Sequence, residues 1–214
     1  MEMEEIAQNL YFVEADKPGS HTYVFEGESR TAVIDPGLSS NYERVVSEVG
    51  EPDILVNTHE HFDHIGANPR FQDDCLVAAH RYSAVKMVTG DDDVMKCRAN
   101  GQPEEYEVDL WLENNALFDL GGKRLKILHT PGHTSGSLCV YDTSTRALVT
   151  GDTVYAYGTI SDIYKSGSYG EYANSLRRLN NFRVDVICPG HGHLSYEPEE
   201  TLEKSITKAE ERIA

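Results

Sequence analysis

In the first third of the chain short apolar runs alternate with polar turn residues, a pattern that reads as short strands. LYFVEA (10 to 15), HTYVFEG (21 to 27) and TAVIDPG (31 to 37) are rich in β-branched and aromatic residues and are parted by Pro, Gly and Ser turns. The period then lengthens. Tyr42, Val45, Val46 and Val49 fall at i, i+3, i+4 and i+7, which predicts an amphipathic helix with Ser40 and Glu43 as its capping box. PDILVNTH (52 to 59) reads as a buried strand that delivers His59, a helix starts after Asp63, LVAAH (76 to 80) is a strand and RYSAVKMV (81 to 88) a helix. Residues 90 to 105, GDDDVMKCRANGQPEE, keep no period and are acidic, so a loop or lid is expected there.

The second half repeats this order. Strands at 116 to 120, 123 to 129, 137 to 142 and 145 to 150 precede a helix with Tyr169, Tyr172, Leu176 and Leu179 on one face. VDVICPG (184 to 190) is another buried strand, and a last helix carries Pro198 in its first turn and Leu202, Ile206, Ala209 and Ile213 along one stripe. Strands then a helix, twice, predict an α/β protein of two layered halves with helices outside, and residues 1 to 214 are expected to form one domain.

The candidate chemistry lies where strands end. THEHFDHIGAN (58 to 68) puts three histidines, an aspartate and a glutamate between His59 and His64. On extended backbone His59 and His61 leave on one side and Glu60 on the other, while Asp63 and His64 turn in from the next helix. Three more ligand-type residues sit at Gly or Pro turns after apolar strands: His133 in HTPGHTSGS, Asp152 in LVTGDTVY and His191 in ICPGHGH. Five imidazoles and two carboxylates suffice for two metal ions. Without thiolate, that set suits zinc, iron, manganese or cobalt.

Composition narrows the partners. With 36 acidic against 19 basic residues the formal charge is −17, which repels phosphate backbones and anionic lipid, so neither nucleic acid nor membrane is expected as a partner. The first residues, MEMEEIAQNLYFVEAD, lack the positive start of a secretory signal, and no stretch reaches the ~18 apolar residues of a membrane span. Cys75, Cys97, Cys139 and Cys188 are far apart, which fits reduced thiols and a cytoplasmic setting. A small-molecule substrate is expected, and homo-oligomers stay open.

The run H-x-H-x-D-H at 59 to 64, followed in order by His133, Asp152 in GD and His191 in PGH, resembles the metallo-β-lactamase-fold hydrolases from about Val33 to Gly192. The resemblance implies a four-layer αβ/βα sandwich with two divalent metal ions in a cleft between two sheets. One ion would take His59, His61 and His133, the other Asp63, His64 and His191, with Asp152 between them; zinc is expected first, with iron or manganese open. A water held by two such ions loses its proton near neutral pH, and Asp63 would orient it and take its proton as the catalytic carboxylate. Asp35, His129 and His193 are expected behind the ligands as hydrogen-bonding supports.

Within that family HTPGHTSGSLCVYD and GDTVYAYG lean toward the compact glyoxalase II-like branch, which hydrolyses glutathione thioesters. Only about twenty residues follow PGHGH, and Thr159, Ile160 and Ser161 stand where that branch carries a basic glutathione contact; Lys165 is the nearest substitute. A smaller ester or thioester is therefore expected. Tyr155, Tyr157 and Tyr164 leave a lactonase open, and a mononuclear iron persulfide dioxygenase is the alternative from another reaction class.

Overall fold

In the computed structural model, which describes residues 3–71, 75–163 and 165–213, two sheets lie face to face. Their strands are, in order, β1 (Glu4–Ala7), β2 (Leu10–Val13), β3 (Thr22–Glu26), β4 (Thr31–Ile34), β5 (Ile54–Asn57), β6 (Leu76–His80) and β7 (Leu110–Leu112) in the first sheet. The second sheet runs β12 (Val186–Pro189), β11 (Ala147–Gly151), β10 (Leu138–Asp142), β9 (Arg124–His129), β8 (Leu117–Asp119). Both sheets change from antiparallel to parallel pairing partway across. In the first, β1 to β4 are antiparallel and β4 to β7 parallel; in the second, β11 pairs parallel with β12 alone. Parallel neighbours need a crossover, and the helices α1 (Ser39–Val49) and α6 (Tyr169–Leu179) supply it between β4 and β5 and between β11 and β12.

Alternation along each strand decides the layers. Phe25, Ile34, Val56 and Ala78 face inward and meet Leu125, Ile127, Leu138, Val140 and Val149 of the other sheet. Their neighbours Val24, Val33, Leu55 and Val77 face outward against Val45 of α1 and Phe71 of α3 (Asn68–Phe71). On the far side Leu128, Cys139, Leu148 and Ile187 pack on Tyr172, Leu176 and Leu179 of α6 and on Leu202 and Ala209 of α7 (Pro198–Glu211). The four-layer sandwich expected from the sequence is the fold. None of its helices among the described residues is long and apolar enough to cross a membrane.

Four expectations need correction. The helix α1 begins at Ser39 with Leu38 as its N-cap and no side-chain cap bond, so Ser40 and Glu43 form no capping box; Glu43 instead accepts from Arg70 at 2.8 Å. Residues 90 to 105 are not a free lid. A short helix α5 (Asp92–Met95) and a 3-10 turn (Arg98–Asn100) run through them; Val94 is buried, and Met95 and Cys97 pack with Met87 of α4 (Arg81–Thr89) and Ile65 of α2 (Phe62–Ile65). α7 ends at Glu211, which leaves Ile213 beyond the helix and 52% exposed rather than on its buried stripe. Two strands, β1 and β7, were not expected at all; they are four and three residues long, too short for a period to register.

The ions' expected position follows from the topology. Asp35 follows β4, His59 to His64 follow β5, Asp152 follows β11 and His191 follows β12, so the parallel strands of both sheets end at one cleft. Tyr23 Oη donates to Pro189 O at 2.7 Å and Leu138 N to Thr58 O at 2.8 Å, fastening the sheets to each other beside it. Because Ile127 is fully buried between the sheets, Ile127→Ala is expected to lower unfolding free energy by about 2–5 kcal/mol in urea titration, with the slope unchanged.

Candidate metal centre

Seven side chains meet at the strand ends in two groups: His59, His61, His133 and Asp152, and Asp63, His64 and His191, with the ligand atoms of each group within 4.8 Å of one another. His61 Nδ1 stands 2.9 Å from His59 Nε2 and 3.0 Å from His133 Nε2, and His133 Nε2 is 3.5 Å from Asp152 Oδ2. In the second group His191 Nε2 is 3.0 Å from Asp63 Oδ2. Asp152 spans the two: its Oδ1 lies 3.2 Å from His64 Nε2 and 3.7 Å from His191 Nε2.

These spacings fit bound cations. Ligand atoms at about 2.0–2.1 Å from a tetrahedral ion stand roughly 3.4 Å apart. Buried His64 Nε2 and Asp152 Oδ1 face each other without a hydrogen bond, as two donors to a shared cation do. Imidazole with carboxylate is also the donor chemistry of divalent zinc, iron or manganese.

The protein's own hydrogen bonds aim each ring. His64 Nδ1 donates to Asp35 Oδ2 at 2.7 Å, which turns Nε2 into the site. Asp35 also accepts from Thr58 N at 2.7 Å and Thr58 Oγ1 at 2.6 Å, and it sits at φ +51°, a left-handed conformation that a non-glycine residue adopts at a cost of about 1–3 kcal/mol. His133 Nδ1 lies 2.8 Å from Asp162 O and 2.7 Å from Ser161 Oγ, so its Nε2 likewise faces the cluster. Gly190 is required by close approach, since a Cβ there would stand 2.8 Å from Asp152 Oδ1 and 2.6 Å from His64 Cε1.

Electrostatics divides the two groups. Burial, reinforced by the neighbouring imidazoles, lowers His59 well below the usual histidine value and His61 to about 3, so both are neutral, the form that ligates. Burial opposes a charge on His64 too, but Asp35, Asp152 and Asp63 outweigh it and raise its pKa. The same charges act in return: burial would push Asp63 and Asp152 up, yet His64 and the other histidines hold both carboxyls low and ionised.

Glu60 points away from the cluster, as alternation predicts, but into protein rather than solvent. Fully buried, its Oε2 accepts from Ser83 Oγ at 2.5 Å and Thr134 Oγ1 at 3.0 Å, and its Oε1 pairs with Lys86 Nζ at 2.9 Å. This pair ties the His59–His61 segment to α4 and to the turn that carries His133. Sequence reasoning missed Lys86, which the helical pattern places simply on α4.

The remaining expected residues fall in different places. Tyr155 stands beside Asp152 and Ser161; burial, then the Asp152 charge, keep its phenol protonated far above the usual tyrosine range. Tyr155, Ala156, Tyr157, Thr159, Gly192 and His193 line a cavity of about 280 Å³ that opens beside His191. Tyr157, at φ +62°, is 70% exposed at its mouth, with its ring 6.2 Å from that of exposed His193. Lys165 does not reach this cavity; it pairs with Asp93 at 2.8 Å on the surface. Tyr164 lies outside the described residues. His129 supports the His133 turn through a 2.9 Å contact of its Nε2 with Ser135 O, and its ring stacks on His80 at 3.7 Å.

Removing one partner of the Glu60–Lys86 pair leaves a buried charge uncompensated. Lys86→Met is therefore expected to cost about 3–5 kcal/mol in urea unfolding, and the double variant Lys86→Met with Glu60→Leu less than the sum of the two single variants. His80, which burial and then His129 hold at about 3 against an unfolded value of about 6.5, binds a proton only on unfolding. Its contribution is full above pH about 6.5 and is lost as pH falls toward 3. Metal-free His80→Phe is expected to lose less stability between pH 7 and pH 4 than the metal-free parent, by thermal unfolding at each pH.

The chain matches the model of the Metallo-beta-lactamase superfamily over residues 15–191. It is 27% identical over 203 residues to the acyl-coenzyme A thioesterase MBLAC2 of Gallus gallus, covering 80% of this chain and 72% of that one. To the hydroxyacylglutathione hydrolase of Pelagibacter ubique it is 27% identical over 178 residues, covering 80% and 65%. Among solved structures it superimposes on TTHA1623 in a di-iron-bound form with a TM-score of 0.75 and 25% identity, covering 88% of this chain and 96% of that one. With the strand-end cluster and the four layers already in place, the match over most of the sequence makes this protein a metallo-hydrolase of the metallo-beta-lactamase superfamily.

Proposed function

We propose that the chain is a binuclear metal-dependent hydrolase of small thioesters or esters. The observation that carries the two-ion reading is Asp152, whose two oxygens address different histidine groups, Oδ2 toward His133 and Oδ1 toward His64 and His191. Held by these residues, divalent ions would supply Lewis acidity to the reacting carbonyl and would acidify a bound water. Thioester is favoured over other acyl compounds because the similar proteins named above act on acyl-coenzyme A or hydroxyacylglutathione.

The chain's own groups then divide the work. Asp63, ionised and partly exposed at the cleft, receives the proton that water gives up. The apolar part of the substrate enters the cavity between Tyr155, Ala156 and Tyr157, which brings its carbonyl alongside His191. Among the described residues no lysine or arginine lines that cavity, and Lys165 is engaged with Asp93, which favours an uncharged acyl group there over an anionic carrier. Tyr155, a protonated O–H beside Asp152, favours a lactone as the second reading. All four cysteines are free and buried, which supports a reducing, cytoplasmic setting.

The test is elemental analysis of protein purified without added metal, beside a panel of thioesters, lactones and phosphodiesters. Two ions per chain and fastest turnover on a thioester are expected; one iron per chain with oxygen consumption on a persulfide would overturn the reading. Asp63→Ala is expected to lower kcat about 10²–10⁴-fold on the best substrate. Its melting temperature should stay within about 3 °C of the parent, because the side chain lies in the cleft rather than the core.

A further inference from the structure

His21, which the sequence leaves without a companion, sits just ahead of β3 and is 6% exposed. Both of its ring nitrogens are committed to backbone. Nδ1 accepts from Ala15 N–H at 3.1 Å, so the ring's one proton is on Nε2, which donates to Gly192 O at 2.8 Å. The residue's own N–H donates to Gly190 O at 2.7 Å. One residue thus holds the carbonyl before His191 and the carbonyl after it. With both nitrogens used and its ring centroid 6.4 Å from that of His191, it has no lone pair left for a metal ion.

Just ahead of the turn Tyr23 Oη holds Pro189 O at 2.7 Å, and Ile187 and Ser195 pair across its base at 2.9 and 3.0 Å, but these bonds stop short of Gly192. Gly190 N donates to Gly151 O at 2.8 Å, but Gly192, at φ +83°, has open space where a Cβ would be, and His193 beyond it is exposed. Glycine in that conformation is flexible unless a neighbour restrains it. The other ligands of the second group are held differently: His64 by Asp35, and Asp63 by the first turn of α2. Phe12 packs edge-on against the His21 ring at 4.9 Å, which fixes the ring itself.

We propose that His21 is the positioning residue of the second half-site: it clamps the Gly190–Gly192 turn so that His191 Nε2 stays 3.0 Å from Asp63 Oδ2 and 3.7 Å from Asp152 Oδ1. The proposal rests on the two-ion reading for its effect on metal, and on the hydrogen bonds alone for its effect on the turn. His21 acts through His191 and touches no reacting atom.

The experiment compares the full-length parent with His21→Ala and His21→Gln by two measurements. Glutamine is the informative partner, because its Oε1 accepts from Ala15 N–H while its Nε2 donates to Gly192 O. First, zinc is titrated into metal-free protein with a chromophoric chelator as competitor. His21→Ala is expected to keep the first ion and to weaken the second about 10–100-fold, the effect usual for a ligand's hydrogen-bond support, with glutamine recovering most of it. Second, hydrogen exchange of the metal-free proteins is followed over residues 187–195. Exchange there should rise in His21→Ala, return toward the parent in His21→Gln, and stay unchanged in β9 and β10, which also shows that the variant is folded. Parent-like exchange in His21→Ala, or glutamine behaving like alanine, would overturn the proposal. A parent that binds one ion would sink the two-ion reading alone and leave the exchange result to decide the role of His21.

Discussion

Everything in the cleft depends on holding like groups together against their own repulsion. Three imidazole nitrogens meet within about 3 Å around His61 Nδ1, and two carboxylates face the same histidines. Lone pairs aimed at a common point do not attract one another. Hydrogen bonds from behind over-determine the arrangement: Asp35 on His64, Asp162 and Ser161 on His133, Thr58 on His59. The energy is supplied by the two sheets and their outer helices, a core whose burial has no specificity for ligand geometry. Rigidity at the site is therefore borrowed from packing and delivered through a few buried polar contacts.

The buried charges follow the same logic. Glu60 lies between two metal-facing histidines in sequence yet turns its carboxylate into protein, where Lys86, Ser83 and Thr134 satisfy it. A carboxylate on the other side of the strand would have joined the ligands. Because successive side chains alternate, one backbone segment serves two polar sites back to back, a metal-facing one and a structural one. The chain's overall charge of −17 lies mostly on the exterior, and Lys86 and Lys165 are each engaged with a carboxylate, Glu60 and Asp93.

How much of this was legible in sequence depended on the range of the cause. The strands other than β1 and β7 and the long helices follow from local pattern, as do the convergence of His59 with His61 and the turn of Glu60 away from them. The order of ligands carried the fold, because each stands at a strand end that the topology brings to one cleft. The segment 90 to 105 has no legible period because Met95 and Cys97 are scattered among acids and glycine, and only the packing on α2 and α4 shows what they fill. His21 could not be read at all. Its partners are backbone groups, one of them 171 positions away, and a backbone carbonyl has no sequence signature.

The two half-sites differ in exposure, and that difference orients the chemistry. His59, His61 and His133 are all but sealed, at 5% exposure or less, whereas the His191 side chain is 34% exposed and Asp63 is partly open. A sealed group of imidazoles would hold a cation firmly but offers a substrate no approach. The open group, with its ionised carboxylate and the apolar cavity alongside, is the side that a small molecule can reach. Openness has a structural cost: a ligand at the surface on a glycine turn is the one most able to drift, and it is the one that needs a clamp from a distant strand. The division between a buried anchoring side and an exposed receiving side thus accounts both for where the cavity lies and for why the turn bearing His191, rather than the strand-borne His59, depends on a side chain from the other sheet.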